Sequence, residues 1–425
     1  MNLSTLRSPK QLAEIAARFG HQMDSFDAND VEAKLGDPDL PTGLRELLEC
    51  RLYISKTSTS KLVTMLRCAG GDARLRGMFN YHRASTGRWA GRKVQPHNFP
   101  KTKIDNPEPI FEVLGTKDVG FINAMYGDPI KLCSTMIRSL VKAPEGKILI
   151  GADWNAIEPR VLFWASGHTE GLRLFREGKD PYIVQAAATL NLPEAEITSD
   201  QRDFGKTIIL GCGYGMGKAR FYDTCQDWGT PVSRGVADRA VDMYRSMNYP
   251  VEDFWKRCEK CAKSAVSNKT TVKQSDVVSW EYVEHKGYPY LRCHLPSGRY
   301  ISYYKPSIEL RDSPYGMRPT LVYWGEKQPK PGEARWRELS TYGGKLVENI
   351  VQAISRDLLA ECMLSLREFG LDVVLHIHDE VVVEAPADQL ETAKALFSKA
   401  MGQELEWTKG IPLKFKVWVG SRWKK

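Results

Sequence analysis

The sequence predicts an α+β chain in which helical blocks alternate with β-rich ones. Three observations carry that expectation. Residues 1 to about 80 and about 165 to 285 show apolar spacing of helical period with little strand signal. Residues 286–338 hold β-branched and aromatic runs broken by turn residues, as in YLRCHLPSGRYISYY. LDVVLHIHDEVVVEAP, residues 371–386, reads as two apolar β-branched strands joined by a tight polar turn. A chain of 425 residues is too long for one small core, so two or three subdomains are expected.

In chain order, SPKQLAEIAARF opens a helix with a Ser cap and Pro at its first position. DPDLPTGLRELLECRLYISKTSTSKLVTMLR continues the helical pattern; its KTSTSK run suits a solvated face or a phosphate backbone. Residues 81–105, YHRASTGRWAGRKVQPHNFPKTKID, are a basic loop rich in Gly and Pro. EGKILIGADW is a short buried strand ending at Asp153, and EPRVLFWASG an amphipathic helix with Pro159 in its first turn. GEKQPKPGEARW is a polar loop, and LVENIVQAISRDLLAECMLSLREFG a long helix leading into the hairpin. The tail, IPLKFKVWVGSRWKK, ends in a strand pattern and a basic terminus.

Composition excludes several classes. No run of eighteen apolar residues suggests a membrane span, and the N-terminus lacks a signal-peptide core. Nine cysteines without framework spacing read as reduced thiols of a cytoplasmic protein. The single CxxC, Cys258 to Cys261, lies in a helical pattern with no second pair, so zinc is not expected there. Sixty Lys and Arg against 52 Asp and Glu give +8, which permits a polyanionic partner without requiring one.

The hairpin tip, His378-Asp379-Glu380, replaces the usual Asn-Gly or Asp-Gly with two acids and an imidazole. Carboxylates between buried strands are costly unless a cation or donor meets them. Asp153, at the end of its own strand, is the natural partner across one sheet. Two acids there repel unless divalent cations lie between them, and two such ions can clamp both oxygens of a phosphoryl displacement. Either acid alone would be an ordinary turn or cap residue. In SDQRDFGKTIILGCGYGMGKARF, Arg202, Lys206, Leu210 and Tyr214 are four apart and fall on one helical face. Arg and Lys one turn apart suit a triphosphate, and Tyr214 at the glycine-rich end could stack on a base. The plain alternative is a solvated basic stripe.

The ordered set resembles the DNA polymerase I family, family A, over nearly the whole chain. GADWNAIEPRVL resembles motif A, RDFGKTIILGCGYG motif B and HIHDEV motif C. STGRWAGRKVQPHNFP resembles the family's minor-groove segment, and EGKDPYIVQAA the segment that follows motif A. LVENIVQAISRD resembles a helix with a DNA-contacting Gln, and SPKQL a stretch of the thumb. LPSGR, TYGGKLVENIVQA and the tail most resemble the bacteriophage-type branch. The resemblance implies a right-hand polymerase fold with an antiparallel palm sheet, helical fingers and a helical thumb. Residues 1–80 would be thumb, 81–164 and 286–425 the two parts of the palm, and 165–285 the fingers.

It also implies roles. Asp153 and Asp379, with the Trp154 carbonyl, would hold two Mg²⁺ ions, which Mn²⁺ can replace; Glu380 would be a secondary acid. Arg202 and Lys206 would meet the dNTP triphosphate, and Lys206 would protonate the leaving pyrophosphate. Tyr214 and Glu158 would floor the sugar, while Arg88, Asn98, Gln352 and His378 would touch primer-template DNA. The expected protein is a monomeric, cytoplasmic DNA polymerase of a bacterial host or phage-infected cell, with no membrane association and any processivity partner unknown. The residues before motif A match thumb and palm and leave no room for an exonuclease domain, so this chain is expected not to proofread.

Three departures affect details. Leu210 stands where Phe or Tyr is usual, so dideoxynucleotide acceptance does not carry over. Tyr182 stands where many members have a His facing the triphosphate, and Pro159 adjoins the Glu158 gate. Three rival functions use parts of the same set. A single-subunit RNA polymerase would incorporate ribonucleotides, a two-metal nuclease would not need Lys206, and a DNA-binding protein without catalysis would not need the acids.

Overall fold

The computed structural model describes residues 5, 6, 8–55, 57–101, 104–312, 316–328 and 333–424. Lys56 of the KTSTSK run, the side chains of 57–59 and residues 329–332 of the polar loop lie outside that description. Two compact units are present: Met1–Asn80 with Gly91–Glu145 and Gly420–Lys425, and Tyr81–Ala90 with Gly146–Val419.

The first unit is helical. Helix Pro9–Arg18 starts as its sequence predicts, with Ser8 Oγ accepting the Gln11 N–H at 3.4 Å and Pro9 at the first position. Leu12, Ala16, Val31, Leu44 and Leu48 make its first core. Each of the Leu and Val side chains contributes about 1.5–3 kcal/mol when fully buried. Lys61, from the basic run, turns inward to the carbonyls of Val94 (3.4 Å) and Gln95 (3.5 Å). A second small core gathers Ile110, Ile122, Leu132 and Met136. The tail of the chain also belongs to this unit. Trp423 is 1% exposed, with the Arg138 guanidinium 4.5 Å over its ring and its backbone N–H donated to Val141 O at 2.9 Å. Arg422 reaches Glu108 at 2.6 Å and Ser139 O at 2.8 Å.

The second unit carries the two larger sheets. Strand β1 (Lys147–Asp153) is followed by helices α1 (Ile157–Ser166), α2 (Pro181–Leu190), α3 (Ser199–Cys212) and α4 (Tyr249–Asn268), with further helices between them. Then come strands β2 (Thr271–Lys273), β3 (Ser279–His285), β4 (Tyr288–His294), β5 (Tyr300–Arg311), β6 (Arg318–Glu326) and β7 (Trp336–Thr341). Helix α5 (Gly343–Glu368), hairpin strands β8 (Asp372–Ile377) and β9 (Glu380–Pro386), helix α6 (Leu390–Met401) and strand β10 (Trp418–Gly420) complete it. The four-stranded sheet has the order β8-β9-β1-β10, and the six-stranded sheet is a β2-to-β7 antiparallel meander. Helix α5 is buried along most of its length, through Leu346, Ile350, Ile354, Leu358 and Leu366 among others.

Two sequence expectations are corrected here. The β-rich segment begins at Thr271 rather than 286, because TTVKQ and SWEYVEH pair as β2 and β3 directly after a long helix. Helix α1 is not amphipathic: eight of its ten residues are buried, including Arg160. Arg160 tolerates this because its guanidinium donates to Asn155 O at 2.7 Å and to Pro412 O, and lies 4.0 Å over the Phe175 ring. Burial lowers its pKa to about 10, which still leaves it charged near neutral pH.

Candidate functional site

Strand pairing brings the acids to one edge. β9 runs antiparallel to β1 in a register that sets Glu380 opposite Asp153, Val381 opposite Ala152 and Val383 opposite Ile150. Opposed residues in such a pair have Cα atoms about 4.5–5.5 Å apart and point to the same face. Asp153 therefore ends β1 beside Glu380, and Asp379 is one residue earlier, in the turn. The turn has only two residues, since Ile377 already pairs with Glu380. Its first residue, His378, is exposed and holds φ +54°. A non-glycine residue in that region costs on the order of 1 kcal/mol or more. Glu380 is 6% exposed, whereas Asp153 and Asp379 are half-buried.

The segment after Asp153 is fixed from the chain's late residues. Trp154 is buried, and its indole N–H donates to Met401 O at 3.0 Å. Its backbone bridges to Phe415, and the Asn155 N–H donates to Lys414 O at 2.7 Å. Ala156 takes φ +51° just before α1, so the chain turns sharply between acid and helix.

Helix α3 starts in a capping box, Thr198 with Gln201, and ends at the glycine-rich stretch. Phe204, Gly205, Thr207, Ile208 and Ile209 are buried, which leaves Arg202, Lys206 and Leu210 on the more open side. Gly205 packs straight onto α2, where an added Cβ would overlap the Tyr182 carbonyl. Lys206 is exposed and makes no ion pair among the described residues. Arg202 is held: its Nε donates to Asp180 at 2.7 Å, and its guanidinium lies 5.3 Å from the Tyr182 ring. Tyr182 is 6% exposed, and burial, with Asp180 nearby, pushes its phenol up to about 12. It is thus a buried neighbour of Arg202 in this state, its ring carrying the cation.

Glu158 is the point where three predicted residues meet. Its Oε1 receives Arg88 at 2.7 Å and its Oε2 receives the Tyr214 hydroxyl at 3.2 Å. Burial, with Glu158 beside it, pushes the Tyr214 phenol well above its ordinary range, so it stays a donor. The backbone of Tyr214 is pressed against α5 at Gly344, where a Cβ would overlap the Tyr214 carbonyl.

The loop that presents Arg88 is clamped by residues the sequence reading had not singled out. Asp357, 3% exposed on α5, accepts Ser297 Oγ at 2.6 Å, Arg299 Nε at 2.8 Å and Arg356 Nη1 at 3.1 Å. Arg299 also donates to Thr86 O (2.8 Å) and Arg356 to Gly87 O (3.0 Å). Arg356 further lies 4.5 Å over the Trp89 ring. LPSGR, the SRD of α5 and the TGR loop thus form one hydrogen-bonded unit. The signal available in sequence was an Arg-Asp pair inside an apolar helix, a costly placement unless both charges are matched.

Of the remaining candidates, Gln352 is half-buried on α5 and donates to Glu348 at 3.1 Å. Asn98 belongs to the first unit, is exposed, and donates to Gln95 at 3.0 Å. Among the described residues no group of three or more His, Cys, Asp or Glu is gathered as a metal site. Asp153 and Asp379 supply two half-buried carboxylate donors at the acid edge. That set fits Mg²⁺, which takes one or two carboxylates and completes its shell with substrate phosphate and water. All nine cysteines are free thiols, and burial pushes Cys258 up to about 12. No helix among the described residues is long and apolar enough to cross a membrane.

Comparison with known proteins gives a consistent result. The family model of DNA polymerase family A matches residues 4–280. A DNA polymerase of Bacillus phage SP02 is 32% identical over 422 residues, spanning 98% of this chain and 63% of that protein. The thermostable DNA polymerase I of Thermus filiformis is 27% identical over 68% of this chain and 28% of its own length. Among solved structures, the POL domain of Pol1 from M. smegmatis, in complex with DNA primer-template and dNTP, matches with TM-score 0.60 at 18% identity. The match covers 100% of this chain and 61% of that one, and at this identity it concerns the fold. The chain therefore spans less than two thirds of the length of these relatives.

Proposed function

Because the chain belongs to DNA polymerase family A, we propose that it is a template-directed DNA polymerase, joining a primer 3′-OH to the α-phosphate of a dNTP with release of pyrophosphate. The observation that carries this is the β1–β9 register, which ends two strands in acids at one sheet edge. The cation-bearing face of α3 belongs to the same unit.

In this proposal Asp153 and Asp379, with the Trp154 carbonyl, hold two Mg²⁺ ions, and Glu380 is a supporting acid. Bound there, the ions supply charge stabilisation to the attacking and leaving oxygens. The protein's own residues do the positioning. Arg202 exchanges Asp180 for the incoming triphosphate, a planar fork passing from one oxyanion to another. Lys206, exposed one turn further on, pairs with the triphosphate and gives its proton to the departing pyrophosphate. Leu210 and Tyr214 line the nucleotide, and the Tyr214–Glu158 hydrogen bond closes the space a 2′-OH would take. Tyr182 supports Arg202 through its ring. Arg88, Asn98, Gln352 and His378 contact primer and template. The protein acts as a monomer in the cytoplasm of a bacterial or phage-infected cell. Thumb, palm and fingers follow in the order given above, the fingers giving way to the β-rich part of the palm at Thr271, and the chain extends without excising mismatches.

The test is extension of a labelled primer with Mg²⁺ and either dNTPs or rNTPs. We expect extension with dNTPs, rejection of rNTPs, and retention of a 3′-mismatched primer at full length. Asp379→Ala should lower the rate at least about a hundredfold, the scale of losing one preorganised electrostatic contribution. Primer shortening by the wild type, or equal use of rNTPs, would sink the proposal.

A further inference from the structure

The six-stranded sheet turns one face to solvent, and that face is aromatic. Leu291, Cys293, Ile301 and Tyr303 point inward and are buried, so the alternate residues of β4 and β5 face outward. Pairing sets Tyr290 opposite Tyr304, and Tyr304 opposite Trp324, making a rung of three rings on adjacent strands. Tyr288 and Trp336 flank it, their ring centres 5.7 and 5.9 Å from that of Tyr304. Tyr288, Trp324 and Trp336 are 49%, 40% and 52% exposed. Single exposed aromatics are common on protein surfaces, but a contiguous group across four strands marks a surface for a ligand.

Charge says which ligand. A bulge in β5 interrupts its pairing with β6 between Tyr304 and Ser307. Lys305 sits in that bulge with φ +46°, a conformation rarely held by a residue with a side chain. Bulges re-aim side chains. This one brings Lys305 Nζ to 5.7 Å from the Tyr288 ring and 5.4 Å from the Tyr304 ring. The nearby acids are already matched, Glu326 by Arg83 and Arg335 and Glu338 by Arg311. Lys305 makes no ion pair among the described residues, so the face joins exposed rings to a cation that no carboxylate neutralises.

We propose that this face is a platform for single-stranded DNA, with unpaired bases stacking on Tyr288, Tyr290, Tyr304, Trp324 and Trp336 and the backbone meeting Lys305. Stacking needs the flat side of a base, which a duplex hides and a single strand presents. The inference rests on the polymerase reading for the identity of the polyanion, and the strand it assigns is the unpaired template beyond the primer end.

Tryptophan fluorescence of the intact chain, titrated with an oligo(dT) of about 16 nucleotides, reads the platform without any chemistry. The double variant Tyr304→Ala/Trp336→Ala should bind about tenfold or more weakly, since each stacked base is lost with its ring. Lys305→Gln, which removes no packing and keeps the test open should the double variant misfold, should lower the salt slope by about 0.7. Primer extension on a template with a one-nucleotide overhang should be unchanged in both variants, while the KM for a long-overhang template rises. Oligo(dT) binding within twofold of wild type in both variants would overturn the platform, as would equal loss on short and long overhangs. Absence of extension by the wild type on the short template would instead count against the polymerase reading, with the oligo(dT) titration still deciding the platform.

Discussion

Replacing Asp357 by Asn should cost the folded protein about 3 kcal/mol and loosen the loop that carries Arg88. The carboxylate is 3% exposed and accepts three hydrogen bonds, two of them from guanidinium groups at 2.8 and 3.1 Å. Removing one partner of a buried ion pair typically costs about 3–5 kcal/mol, because the remaining charge stays buried. Here the amide keeps one acceptor oxygen, and Arg299 is 21% exposed and can draw on water, which argues for the lower end. Against a total stability of about 5–15 kcal/mol, such a loss is readily measured. Equilibrium urea unfolding gives the stability change, and steady-state primer extension gives the functional one. Arg299 and Arg356 hold the Thr86 and Gly87 carbonyls, directly before Arg88. A loosened clamp should therefore raise the KM for primer-template more than it lowers kcat. A stability loss under about 1 kcal/mol with an unchanged KM would refute the reasoning, since the pair would then be neither buried in effect nor coupled to the loop.

Three further outcomes follow from the geometry. Gly205→Ala puts a methyl group into the Tyr182 carbonyl, so α2 and α3 must part at a cost of about 1–3 kcal/mol, and dNTP KM should rise; an unaltered denaturation midpoint would contradict that packing. Lys206→Ala should lower single-turnover kcat by about 10²–10⁴ at unchanged stability, as expected for an exposed proton donor; a rate within threefold of wild type would remove it from that role. His168 is 6% exposed and burial holds its pKa below 6.5. Above 6.5 both states are neutral; as pH falls through 6.5 the unfolded chain binds a proton the folded one resists, so stability drops by up to about 1.4 kcal/mol per pH unit. His168→Gln should flatten that part of the profile between pH 7.5 and 5.5, and an equally steep fall would assign the proton uptake elsewhere.

Local signals were legible where the chain's own neighbours decide them. Ser8 before Pro9 and the β-branched runs around His378 form what their sequence announces. The reading went astray where a long-range partner decides. Arg160 made α1 look amphipathic, since only the fold supplies the Asn155 and Pro412 carbonyls that satisfy it. Thr271 and Ser279 start strands because the meander lends them edges, although a 20-residue helix runs up to Asn268. At the site, the acids and the Glu158–Tyr214 pair could be named in advance. The engagement of Arg202 by Asp180 and the Asp357 clamp could not, because each joins residues that only packing makes neighbours.

The seat of Trp423 has a consequence for how the protein is made. The first unit joins residues up to Glu145 with residues from Gly420 on, and nearly all of the second unit is translated in between. Ribosomes add about 5–20 residues per second, so the early helices wait tens of seconds for the residues that pack beside Val141 and Arg138. Throughout that interval the partly formed unit shows apolar surface that Trp423 later covers. A nascent chain stalled or cut just before Trp423 would carry a complete second unit and an open first unit, and would be recognised by chaperones and proteases through the open one.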